Sequence, residues 1–432
     1  MKEILKILIA DFQARPIQEV TDRELELPVN SGKIITLTGP RRSGKSFYFF
    51  QIIQKLIANS HVKKENILYL NFEDERLSMK ATDLDCILQA YQELYPDIDW
   101  KHCYFFFDEI QNIKNWEKFV RRCNDTLTRN IFITGSNANL LSREIATALR
   151  GRTLTYEILP LSFTEFLNFK NVNIKKKDSA SRSKINNLFL QYLVQGGYPE
   201  IAFLDEGLRT RTLQEYFDVM TYRDLVERYA FTNLPVIKYF LKRIASTTTS
   251  YLSLNKIYNE MRSMGYKLDK NFLYEVNEAA RAVYLSLPVS KFDYSELKRS
   301  GSDKKNYFID NGLLNAITIK FSNNAGKLLE NLCYLELRRQ GKQIYYFKEG
   351  KECDFVLYTE GKKPIPLQVS YSLEDKDTLA RETQGLVYCC KKTGAATGYL
   401  LSLDKLPDKI IEGKKVKFLQ AVSFFLDHED LL

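Results

Sequence analysis

The chain has 432 residues, a formal net charge of +9, a pI near 8.9, and 44% apolar and 27% charged residues. Seven cysteines in an odd count with no C-x-x-C pair, three scattered histidines (61, 102 and 428) and no apolar run near ~20 residues exclude a disulfide framework, a structural zinc site and a spanning helix. What remains is a cytoplasmic protein of two to four domains, at roughly 100–200 residues each, whose positive charge is compatible with a polyanionic partner such as nucleic acid.

Residues 1–30 open with MKEILKILIADFQARP, whose apolar run is broken by Asp11 and Arg15, so they read as a lead-in helix and connector rather than a signal peptide. From Lys33 the pattern changes. KIITLTG is a β-branched strand, GPRRSGKS a glycine-containing turn, and SFYFFQIIQKLIAN an amphipathic helix. ENILYLNFED, CYFFFDE, NIFITGS and TLTYEILPLS supply four more strands, with helices expected in TDLDCILQAYQELY and NWEKFVRRCNDTL. Strands alternating with helices predict a mostly parallel α/β sheet.

Residues 170–184, rich in Lys and Ser, read as a loop. A helical region follows over 185–245. SLNKIYNEMRSMG and DKNFLYEVNEAARAVYL are two further helices, followed by a charged loop and the strand-like KNYFID. Two helices and then a hairpin is the order of a winged helix. From about 325 a helix, AGKLLENLCYLELRRQG, precedes strands QIYYFKE, CDFVLYTE and PIPLQVSYS.

The segment Gly39-Pro40-Arg41-Arg42-Ser43-Gly44-Lys45-Ser46 matches G-x-x-x-x-G-K-[ST] in full. Between a buried strand and a helix, such a loop curls its N–H groups around phosphate oxygens and offers the positive helix end. Lys45 is expected to reach the β- and γ-phosphates of ATP and Ser46 to ligate Mg²⁺, with Phe47 next in the nucleotide-binding stretch. Asp108 and Glu109 end the aromatic strand. Asp108 suits a Mg²⁺ ligand, and Glu109 a base that polarises the attacking water. Ser136 or Asn137 can meet the γ-phosphate or cap the following helix. Arg150 or Arg152 can serve a neighbouring subunit's site or form a surface salt bridge.

Together these residues resemble the AAA-type P-loop ATPases. They resemble more closely a prokaryotic group of AAA-like ATPases with a C-terminal nuclease-like domain, through LTGPRRSGKS, FFDEIQNIKNWE, ITGSNANLLSREIATALRGRT, LPLSFTEFL, GGYPE, LLENLCYLEL and ECDFVL. The resemblance implies a P-loop core over 1–165, a helical lid over 166–245 in which Pro199 touches adenine or ribose, a winged helix over 246–324, and a PD-(D/E)xK nuclease-like domain over 325–432. It implies ATP and Mg²⁺ as cofactors, DNA as a partner and a homo-oligomeric ring, a hexamer by analogy, with no membrane association. The nuclease-like site would use Glu330, Asp354 and an acid-x-Lys pair. Here that pair reads Gln368-Val369-Ser370, so the cationic head is missing and cleavage is not expected.

Overall fold

A computed structural model describes residues 1–136, 149, 151–176, 178–318 and 325–427. The chain divides into two compact units, Met1–Leu159 and Pro160–Leu432, each described by itself.

The first unit holds five strands: β1 (Ile34–Thr38), β2 (Ile67–Asn71), β3 (Tyr104–Asp108), β4 (Asn130–Gly135) and β5 (Thr153–Glu157). Their order is β2-β3-β4-β1-β5, and every pairing is parallel. The expected strands are all present. Because side chains alternate along a strand, β3 sends Phe105 and Phe107 to one apolar cluster and Phe106 to the other. β4 does the same with Ile131 and Ile133 against Phe132, and Phe106 stacks on Phe132 at 4.7 Å between ring centroids. Both faces are thus covered, which is why these strands read as continuous apolar runs. Lys2–Ala14 is the expected lead-in helix, and it buries Leu5 and Ile9.

The second unit begins with helices. Phe163–Phe169 starts with a capping box in which Ser162 accepts from Glu165 N and the Glu165 carboxylate accepts from Ser162 N, so LSFTEF is a helix-start signal in its own right. The next helix, Ser179–Gln195, begins inside the expected 170–184 loop, because the Asp178 carboxylate caps Ser181 N at 2.9 Å.

Nine strands form one sheet in this unit among the described residues: β6 (Ser250–Leu252), β7 (Leu287–Lys291), β8 (Lys304–Tyr307), β9 (Gln343–Glu349), β10 (Lys351–Tyr358), β11 (Ile365–Val369), β12 (Thr397–Ser402), β13 (Lys409–Ile411) and β14 (Lys414–Gln420). Their order is β13-β14-β12-β11-β10-β9-β7-β8-β6. The helix Lys376–Thr393 carries the chain from β11 to its parallel neighbour β12. Helix Lys270–Ala282 stops short of the expected AVYL ending. Tyr284 takes a left-handed φ of 68°, and the apolar run continues as β7. β7 pairs with β8 on one side and β9 on the other, so the sheet runs across residue 324.

Candidate nucleotide site and a second buried lysine cluster

In the first unit, the turn between β1 and helix Lys45–Ser60 is built on conformations that need glycine. Gly39 has φ 154°, and a Cβ there would lie 2.2 Å from the Ile158 carbonyl oxygen. Gly44 takes φ 95° at the helix N-cap. Arg23 braces the loop by donating to the carbonyls of Ser43 (2.9 Å) and Leu159 (2.8 Å). Arg41 pairs with Glu73 at 2.8 Å. Arg42 adopts φ 64°, and Phe47 is exposed.

Lys45 is only 4% exposed, and its ammonium donates to the carbonyl oxygens of Gly39 (3.1 Å) and Pro40 (3.0 Å). Glu109 Oε1 lies 3.5 Å away. The ammonium is therefore held by neutral carbonyls and one loose ion pair, contacts that phosphate oxygens can replace. Ser43 Oγ and Ser136 Oγ are buried without a hydrogen-bond partner. Two orphaned hydroxyls beside a half-satisfied lysine are what a polyanion-binding loop leaves open.

Asp108 ends β3, fully buried. Thr134 Oγ1 bonds Asp108 Oδ1, and Tyr69 Oη donates to Oδ2 at 3.1 Å. Burial, then Glu109, push the Asp108 carboxyl up, while Ser46, Thr134 and Lys45 pull it down; the net direction is upward. Glu109 has φ 53°, a left-handed conformation that costs of order 1–3 kcal/mol in a non-glycine residue. Its N–H donates to Thr134 Oγ1 (2.8 Å), and its Oε2 accepts from Ser136 N (3.2 Å) and from Gln111. Burial pushes Glu109 up, but Lys45 foremost, with Gln111, Arg41 and Ser136, brings it below the usual range, so it is an ionised acceptor. The Ser46 hydroxyl bonds the Asp108 carboxylate. Hydroxyl plus carboxylate is an oxygen-only donor pair that fits Mg²⁺. Among the described residues, no group of three or more His, Cys, Asp and Glu could hold a metal ion.

The structure thus brings together Gly39–Ser46, Asp108 and Glu109. Asn137 and Arg150 lie outside the described residues. Arg152 is half-buried and donates to Asp125 Oδ1 at 3.0 Å within its own chain, the surface salt bridge that the sequence left open. Sequence reasoning missed Thr134, Tyr69 and Arg23. Thr134 was legible as the polar residue near the end of an apolar strand; Tyr69 and Arg23 carry no local signal.

In the second unit, Gly196-Gly197-Tyr198-Pro199 has a local explanation. Gly197 N donates to Asp310 Oδ2 at 2.7 Å, a Cβ on Gly196 would lie 2.2 Å from Asp310 Oδ1, and a Cβ on Gly197 would lie 2.5 Å from the Leu161 carbonyl oxygen. Asp310 is buried, and its carboxyl is pushed up to about 6 by that burial, against the backbone N–H groups that pull it down. Pro199 precedes the short 3₁₀ turn Glu200–Phe203.

Glu330, on helix Ala325–Arg339, and Asp354, on β10, do come together. A lysine not foreseen lies between them. Lys305 Nζ on β8 is 2.8 Å from Glu330 Oε1, 2.9 Å from Asp354 Oδ1 and 3.4 Å from Glu352 Oε1. Tyr307 Oη donates to Glu330 Oε1 at 2.8 Å. Burial opposes the Lys305 charge, but Asp354 and Glu330 outweigh it and hold the ammonium charged. Burial, then Asp354, push Glu330 up to about 8. Gln368, standing in the place of the acid, uses Oε1 to accept Asp354 N–H (3.1 Å) and Nε2 to donate to Glu382 (2.7 Å). Ser370 Oγ donates to the Ser372 carbonyl. No helix of the described residues is long and apolar enough to cross a membrane.

A family model described as an AAA domain matches residues 31–167; two domains of unknown function, DUF8612 and DUF4143, match 186–324 and 325–421. Uncharacterized protein MJ1544 of Methanocaldococcus jannaschii is 38% identical over 384 residues, covering 87% of this chain and 83% of its own length. An uncharacterized protein of Haemophilus influenzae is 31% identical over 356 residues, covering 82% and 86%. Among solved structures, the Aeropyrum pernix ORC2 protein (ADPNP-ADP complexes) gives 13% identity and a TM-score of 0.37 over 79% of this chain and 94% of its own. The Aeropyrum pernix ORC1 protein in complex with DNA gives 9% and 0.23 over 73% and 91%. Overlaps that partial bear on neither fold nor function. The complete phosphate loop, its parallel sheet and the identity to MJ1544 lead to one conclusion: this chain belongs to the same family as that archaeal protein, and its residues 31–167 are a nucleotide-binding AAA domain.

Proposed function

We propose that the protein hydrolyses ATP with Mg²⁺ and couples turnover to binding and remodelling of DNA, with branched or recombination intermediates as substrates. The observation that carries the hydrolytic reading is the convergence of Lys45, Ser46, Asp108 and Glu109 around one loop, with Glu109 ionised, strained and aligned by Thr134 and Ser136. Lys45 exchanges the carbonyls of Gly39 and Pro40 for β- and γ-phosphate oxygens. Ser46 and Asp108 would hold Mg²⁺, which would supply positive charge beside the phosphates. Glu109 accepts a hydrogen bond from the attacking water and orients it for in-line attack.

The DNA reading is supported by the +9 charge and by the order helix Leu254–Ser263, helix Lys270–Ala282, β7, β8, which suits a winged helix over 246–324. It predicts ATPase stimulation by DNA and salt-sensitive binding. Turnover measured against single-stranded, duplex and four-way DNA tests it; equal rates with and without every form would contradict it. A ring, hexameric on family analogy, would let Arg150 or Arg152 reach a neighbouring site. Arg152→Ala should then lose turnover while retaining ATP, and loss of ATP binding would instead assign the arginine to its own subunit. Pro199 as an adenine contact belongs to the same proposal.

One observation favours a second reading, a nucleotide-dependent switch that binds a protein partner. The exposed face of Lys270–Ala282 carries Glu275 and Glu278 beside Tyr274, and its Arg281 pairs with Glu278 at 2.6 Å. Tyr294 and Leu297, between β7 and β8, are 70% and 84% exposed. Mixed charge with bare apolar side chains suits a protein surface better than a phosphate backbone. Pull-down of one protein with no retained DNA would favour this reading.

A further inference from the structure

The nuclease-like resemblance of the C-terminal region implies a divalent cation between Glu330 and Asp354, and the residues present do not fit one. A metal there would need inward-facing carboxylate oxygens with open positions around the ion. Instead, Lys305 Nζ stands 2.8 Å from Glu330 and 2.9 Å from Asp354. Its three N–H donors are matched by oxygens of three acidic side chains, counting Glu352 at 3.4 Å. The other Asp354 oxygen accepts Val369 N–H at 3.1 Å, and the amide oxygen that Gln368 would offer is taken by Asp354 N–H at 3.1 Å. The Lys305 side chain is 2% exposed. Among the described residues, no group of three or more His, Cys, Asp and Glu is placed to hold a metal ion.

We propose that the Lys305 ammonium is the resident cation of this site, replacing the divalent metal that the two carboxylates would otherwise attract, and that it renders the site closed to metal while tying β8 to β10 and to the helix Ala325–Arg339. The cationic head missing at Ser370 is thus supplied from another strand, as a counter-ion. The proposal concerns the second unit only and does not depend on ATP hydrolysis in the first.

The test is Mn²⁺ binding to the full chain without nucleotide, by electron paramagnetic resonance and titration calorimetry. Three chains are compared: wild type, Lys305→Ala, and Lys305→Met/Asp354→Asn, in which both members of the pair lose their charge. Wild type and the double variant should show the same Mn²⁺ uptake, and Lys305→Ala should bind one additional Mn²⁺ at least about tenfold more tightly than any site in wild type, with a Tm raised by the metal. If Lys305→Ala is unfolded without metal, its refolding in Mn²⁺ is read instead, and recovery supports the proposal. The idea is overturned if wild type binds a Mn²⁺ that the double variant lacks. It is equally overturned if Lys305→Ala gains no Mn²⁺ site or is not recovered by refolding in Mn²⁺.

Discussion

Two buried lysines, each beside a pair of acidic side chains, behave differently because of what satisfies their ammonium groups. Lys45 leans on two backbone carbonyls with Glu109 at 3.5 Å, and orphaned hydroxyls at Ser43 and Ser136 lie in the same unit. Lys305 is held by Glu330 and Asp354 below 3 Å, with Glu352 as a third acceptor. The first is an ammonium with weak partners that a polyanion can displace. The second is charge-matched inside the protein, and removing either side leaves an uncompensated charge. Burial alone, 4% and 2% exposure, does not distinguish them; the acceptors do.

The comparison can be broken from the strong end. Lys45→Ala should reduce ATP turnover by about 10²-fold or more, since the ammonium is proposed to act on phosphate charge in the transition state. Its effect on urea unfolding should be smaller than that of Lys305→Met, because two carbonyl contacts and one loose ion pair with Glu109 are lost. Lys305→Met should do the reverse. Turnover per folded chain should be unchanged, while stability falls by about 3–5 kcal/mol, as for other buried ion pairs that lose one partner. Asp354→Asn added to Lys305→Met should recover much of that loss. If Lys45→Ala destabilised as much as Lys305→Met, the distinction between a displaceable and a locked ammonium would fail.

Two smaller effects sharpen it. Thr134→Val removes the hydroxyl that bonds Asp108 and accepts Glu109 N–H, leaving two buried polar groups unsatisfied. A loss of about 1–3 kcal/mol, expressed as turnover slower by about 5- to 150-fold with ATP binding retained, is expected from steady-state rates and nucleotide titration. The smallest effect is a pH dependence at Asp310, whose folded pKa of about 6 lies above the ordinary 3.8. A raised carboxyl pKa contributes stability that is full below the unfolded value and is lost as pH rises through the folded value. Between pH 5 and pH 7, wild type should therefore lose about 1 kcal/mol relative to Asp310→Asn. A difference independent of pH would show that the Gly196-Gly197 turn holds Asp310 ionised throughout.

The sequence made the first unit nearly transparent. Aromatic and β-branched runs marked the strands, because the central β1, β3 and β4 are covered on both faces and must be apolar along their length, and the phosphate loop is contiguous. Thr134 was half visible, as a polar residue near the end of an apolar strand. The second unit was harder. β6, with three residues, has too little pattern to declare itself. Tyr284 ends a helix by a left-handed turn that its β-compatible neighbours do not announce. β12 (TGYLLS) begins on a glycine-containing turn-like pair, β13 (KII) has three residues, and β14 (KKVKFLQ) opens on lysines, so none of the three declared itself. Lys305 was hidden for a different reason. Its partners lie on a helix and a strand farther along the chain, and no local spacing joins a lysine on one strand to carboxylates on other elements. Within KNYFID it reads as an ordinary surface charge, and only the folded second unit brings it within 2.9 Å of Asp354.

Glu109 carries the assignment of hydrolysis to the first unit most directly. Replacing it with Gln keeps the side chain's size and an oxygen acceptor while removing the charge that polarises water. ATP turnover of Glu109→Gln, measured beside nucleotide affinity, should fall by about 10²- to 10⁴-fold with ATP still bound. Turnover within a fewfold of wild type would contradict the assignment of hydrolysis to this site.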